Sequence, residues 1–140
     1  MRWILVHLVV LMFALNSQAA SIQARLIRAS NNFKATDAGL KDLAPKLRKE
    51  FGYKYYHLLG EQQEVLDQKD KSRLNLGEGF VVFVTQKSVE KHLHELELEW
   101  WSGKALLVKT VVKTPEKRSI FIKGPGVGDD WIVLALSIHE

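Results

Sequence analysis

The sequence predicts an α+β fold that is mostly β: an antiparallel β-sandwich or partial barrel with one amphipathic helix, at about residues 36–51, packed on it. Three observations carry this expectation. After Gly52 the chain is a succession of short alternating or apolar segments separated by turn-rich pieces. Only one stretch beyond the amino terminus changes to a three- and four-residue apolar period. No repeat, low-complexity tract or long linker divides the chain, which favours one core of two packed layers.

The amino-terminal nineteen residues form an element of a different kind. Arg2 precedes an apolar run over 3–15, and Ser17, Gln18 and Ala19 supply small or polar residues at its end. This is the layout of a secretory signal peptide, with cleavage expected after Ala19 or, alternatively, Ala20. The apolar run falls short of the roughly 20 residues that span a membrane, and no later run reaches that length. An uncleaved amino-terminal anchor is the competing reading. The expectation is therefore a signal peptide at 1–19, a single β-rich domain at 20–140, and no transmembrane segment after cleavage.

The chain contains no cysteine. Small exported domains of oxidising compartments commonly depend on disulfides, so a cysteine-free exported chain of this size is expected in a bacterial periplasm or at a cell surface. About 120 residues bury roughly two thirds of their unfolded surface, sufficient for a self-supporting core. Without Arg2, nineteen basic residues face sixteen acidic ones. That small surplus permits contact with anionic envelope polymers. Nucleic acid is not an expected partner, because no concentrated basic stripe accompanies a recognisable module.

The first strand is expected at 21–31, with Ile22, Ala24, Leu26 and Arg28 alternating against Gln23, Arg25, Ile27 and Ala29. Leu40, Leu43, Leu47 and Phe51 then mark the helical stripe, with Thr36 or Asp37 as caps and Gly52 beyond the last turn. Pro45 implies either a kink or two short helices, the second starting near the proline. Strands follow at 53–59, 64–67, 73–76, 80–86, 93–101, 105–113, 119–123 and 131–138.

The stretch HLHELELEWW, at 92–101, resembles a ligand cluster until strand parity is applied. His92, His94, Leu96, Leu98 and Trp100 share one face; Leu93, Glu95, Glu97, Glu99 and Trp101 share the other. Histidines and glutamates therefore cannot converge without a bulge, and the leucines make the even face the core. An odd-length loop after Trp101 would set the glutamates beside Lys109 and Lys113, and Leu96, Leu98 and Trp100 beside Leu106, Val108 and Val112. His92 and His94 remain the candidate metal pair, although zinc requires at least a third protein ligand.

Tyr53, Tyr55 and Trp101 are the candidate partner-binding residues, since exposed aromatics anchor contacts. GPGVGDD at 124–130 is glycine-rich like a phosphate loop, but a strand-like run follows it instead of a helix, so it reads as a hairpin loop. No cysteine nucleophile and no Gly-x-Ser-x-Gly elbow is present. Neither a catalytic residue nor a cofactor is assigned.

RLIRASN near the start, the helix followed by YKYYHLL, and IKGPGVGDDWIVLAL near the end resemble a loosely defined set of small exported bacterial β-rich proteins of unassigned function. The resemblance implies a β-rich envelope domain and transfers no site residues. The functional expectation is a non-catalytic exported cell-envelope module whose partner is another envelope protein or an envelope polymer. The alternatives are a small periplasmic hydrolase or metal-dependent enzyme using His92 and His94, and an inhibitor of a secreted enzyme presenting 124–130.

Overall fold

The computed structural model describes residues 20–66 and 71–139, so the expected signal peptide lies outside the described residues. Eight strands form two antiparallel four-stranded sheets. Sheet A has the order β2-β1-β8-β7, formed by Tyr55–Val65, Ser21–Ser30, Asp130–His139 and Ile120–Val127. Sheet B has the order β3-β4-β5-β6, formed by Ser72–Gly77, Phe80–Glu90, Leu93–Ser102 and Ala105–Pro115. The sheets pack face to face as a sandwich and do not close into a barrel.

Alternation explains the main core. Ile22, Ala24 and Leu26 of β1 meet Leu74, Val82, Val84, Leu96, Leu98 and Trp100 of sheet B. A second core lies on the outer face of sheet A, where Ile27, Ala29, Val133 and Ala135 are covered by Leu40, Leu43 and Leu47. Strand β8 contributes to both cores, which accounts for its continuous apolar run: a strand buried on both faces has no need to alternate.

The helical segment is shorter than expected. A 3₁₀ turn at Ala38–Leu40 is followed by the helix α1, Ala44–Phe51, with Pro45 in its first turn, where a missing N–H costs nothing. Gly52 ends it in the left-handed conformation (φ 77°), its N–H donating to the Arg48 carbonyl at 2.9 Å. Thr36 and Asp37 do not cap this helix. Thr36 Oγ1 accepts the Tyr56 N–H and Asp37 Oδ2 accepts the Leu58 N–H, so these residues cover the outer edge of β2.

Other boundaries also shift. The two strands expected at 53–59 and 64–67 are one strand, β2, which begins at Tyr55 and carries Leu59 as an extra residue between its pairings with Leu26 and Ile27. At its midpoint it approaches β3 so closely that a Cβ on Gly60 would lie 1.8 Å from the Leu76 carbonyl oxygen. The glycine-rich stretch is no protruding loop: residues 124–127 continue β7, and only Gly128 and Asp129 form the turn into β8. Gly124 is required there by the Trp100 ring, which an added Cβ would meet at 2.2 Å.

The hairpin after Trp101 has a two-residue turn, Gly103-Lys104, in place of the expected odd-length loop. Even so, Glu99 faces Lys109 and Glu95 faces Lys113. Leu107 is inserted between the Trp101–Leu106 and Trp100–Val108 pairs, and this bulge supplies the odd step that the turn lacks. Leu106 consequently stands beside Trp101 on the outer face, not beside the core leucines.

Candidate functional site

The outer faces of the two sheets differ. Sheet A carries α1, whereas the outer face of sheet B is covered by no other described element. Val82, Val84, Leu98 and Trp100 point inward, so Val81, Phe83, Glu99 and Trp101 point outward. Val81, Trp101 and Leu106 are direct cross-strand neighbours, and Phe83 lies diagonally beside Trp101. Together they make an apolar patch at one end of the face. The Trp101 Nε1 is buried and has no hydrogen-bond partner among the described residues, so what its indole presents outward is ring carbon.

Beyond the patch this face carries several ion pairs, with Val111 exposed opposite Glu97. Lys87 meets Glu97 at 2.9 Å, while Glu99 receives Lys71 at 3.3 Å and Lys109 at 3.9 Å. The Lys87 ammonium beside Glu97 holds its carboxyl below the usual carboxylate value. These exposed pairs add little stability, but they border the Trp101 patch on the side toward Glu99. An apolar centre with a charged rim is the general anatomy of a protein-binding surface.

The three candidate aromatics do not form one patch. Tyr53 packs at the edge of the core beneath α1, on the outer side of sheet A, while Trp101 lies on the outer side of sheet B. Tyr55 pairs with Ser30 and faces the opposite side of β2 from buried Tyr56. His57, next along, stacks on Phe33 at a centroid distance of 3.7 Å.

His92 and His94 approach one carboxylate, Glu116, from different structural positions. His92 is not on the core face of a strand; with Lys91 it forms the tight β4–β5 turn, both residues having positive φ (65° and 50°). His94 is on the core face and buried. Its Nδ1 lies 2.9 Å from Gln86 Oε1 and its Nε2 lies 3.1 Å from Glu116 Oε1, whereas His92 Nδ1 is 3.6 Å from the same Glu116 oxygen. Both nitrogens of His94 are thus engaged by side-chain oxygens. Among the described residues, no group of three His, Cys, Asp or Glu side chains is arranged to hold a metal ion.

Sequence reasoning missed Val81, Phe83 and Leu106 as companions of Trp101, and Gln86 and Glu116 as partners of His94. Alternation along β4 carried the signal for Val81 and Phe83. The other three depended on a bulge and on a crossover between sheets, neither of which has a distinctive local pattern. Comparison with protein-family models, characterised proteins and solved structures finds no match to this chain.

Proposed function

We propose that the protein is an exported, non-catalytic module of the cell envelope that binds a protein partner through the outer face of sheet B. The observation that carries this reading is the patch of Val81, Phe83, Trp101 and Leu106 on a face that nothing in the described chain covers. Leu106 is 44% exposed on the edge strand of its sheet. Export is supported by Arg2, the apolar run at 3–15 and the small residues before Ala20. A non-catalytic role is supported by the engagement of His94 with Gln86 and Glu116, which makes it a structural clasp between the β4–β5 hairpin and the crossover leaving β6.

The test is affinity capture from an envelope extract of the host with the parent protein and a Trp101→Ala variant, at low and moderate salt. A partner retained at moderate salt and lost by at least about tenfold on removing Trp101 is expected, because central aromatics dominate such interfaces. Equal capture by Trp101→Ala, or capture by polysaccharide alone, would refute the protein-binding surface. Amino-terminal sequencing of the secreted fraction tests export separately, with Ala20 the expected first residue.

A further inference from the structure

We propose that the groove where the chain crosses from sheet B to sheet A is a second binding site, for a ligand carrying two or more phosphate groups. The groove has a volume of about 850 Å³. One wall is the exposed side of α1, with Lys46 and Lys49; the facing wall is the end of β6 and the following crossover, with Lys113 and Arg118. Among the described residues Glu50 is the one acidic residue of the lining, which gives them a surplus of three positive charges. The entire chain has a surplus of four. Most of the excess is therefore gathered in one concavity.

Neither ion pairing nor helix chemistry accounts for this concentration. None of the four cations forms a salt bridge with a described residue, in contrast to Lys71, Lys87 and Lys109. Lys113 stands opposite Glu95, but that carboxylate accepts the Ser88 hydroxyl at 3.3 Å. A favourable interaction with the helix dipole accounts for Lys49 near the carboxyl end of α1. It does not account for Lys113 and Arg118, which belong to other elements. Tertiary structure brings the four charges together from two separate segments of the chain, α1 and the stretch that ends β6 and crosses to β7.

The donors indicate the ligand chemistry. Lysine ammonium groups bind phosphate as point charges, and the fork of arginine matches phosphate as well as carboxylate oxygens. Three lysines with one arginine, and the Ser119 hydroxyl on the same wall, suit charge spread over tetrahedral oxygens. The volume exceeds the needs of a single phosphate and lies in the range of small-molecule sites. Phe121 and Ile120 give the groove an apolar floor, in which charge interactions are less screened than on an open surface.

The experiment is calorimetric titration of the purified protein with tripolyphosphate, long-chain polyphosphate and citrate at one fixed ionic strength. Four proteins are compared: the parent, Lys46→Ala/Lys49→Ala, Arg118→Ala, and the control pair Lys34→Ala/Lys104→Ala. The control removes the same charge from exposed positions outside the groove. All the replaced side chains are exposed, and circular dichroism of each variant is the check that it remains folded. Saturable tripolyphosphate binding is expected, weakened at least tenfold by the groove pair, severalfold by Arg118→Ala and less than twofold by the control. Equal losses in the groove and control pairs, or no saturation in the millimolar range, overturn the site. Citrate binding as tightly as tripolyphosphate overturns the phosphate assignment. Tighter binding per phosphate by the long chain would assign the site to a polymer, and equal binding to a small oligophosphate; either result supports the groove.

Discussion

His94 shows how far one residue departs from its local pattern. Its parity places it on the core face, and burial of a polar ring there requires partners, which Gln86 and Glu116 supply. His94→Ala is expected to cost about 2–3 kcal/mol, because it leaves the Gln86 amide buried and unpaired as well as opening a cavity. His92, in the exposed turn, should change stability by no more than about 0.5 kcal/mol when replaced by alanine. Denaturant unfolding of the two variants checks this, and equal costs would contradict the clasp. Asp130 gives a second test at this scale. The Ser30 hydroxyl and, less strongly, the Arg28 guanidinium hold its carboxyl below the usual value, against burial that raises it. A depressed carboxyl contributes stability above its unfolded pKa of about 3.9 and loses it as the pH falls through the folded value. Asp130→Asn should therefore lower Tm relative to the parent at pH near 5, with the difference narrowing toward pH 3. A difference independent of pH would exclude an ionic contribution from Asp130.

Among the elements, the β5–β6 hairpin is the most instructive. A two-residue turn by itself would pair glutamates with apolar residues, and Leu107 prevents this by adding one residue on the β6 side. Deleting Leu107 is expected to shift β6 by one position beyond the turn, moving Val108 and Val112 off the core face. Loss of several kcal/mol, or of cooperative unfolding altogether, should follow. Thermal unfolding of the deletion variant measures it; a near-parental Tm would mean that the placement of Glu95 and Glu99 opposite Lys113 and Lys109 does not depend on the bulge. The helical segment makes a complementary point. Its leucine stripe was legible because a period of three and four does not depend on context. Its start was not, because Thr36 and Asp37, good caps by residue type, are drawn to the backbone of β2 by the approach of that strand.

For the whole molecule, the two cores share β1 and β8, so they should not unfold independently. Leu98→Ala in the sandwich core and Leu47→Ala on the buried side of α1 are each expected to cost about 2–5 kcal/mol. Each should lower one common transition, with fluorescence and far-ultraviolet circular dichroism coincident. Two separated transitions in either variant would show that the helix-covered core is a distinct cooperative unit. Among the described residues, no helix is long and apolar enough to cross a membrane.

Strand alternation, the single helical stripe, the core status of Leu96, Leu98 and Trp100, and the partition of histidines from glutamates along 92–101 follow from the sequence alone, because they depend on the fixed periods of strand and helix. Tertiary structure decided what those periods leave open. It merged two expected strands into β2, set Trp101 apart from Tyr53, brought Glu116 to both His92 and His94, and gathered Lys46, Lys49, Lys113 and Arg118 around one groove. Each of these depends on bulges, crossovers and the packing of one sheet on another. Such features join residues far apart in the chain, and nothing in the local pattern of either partner records the contact.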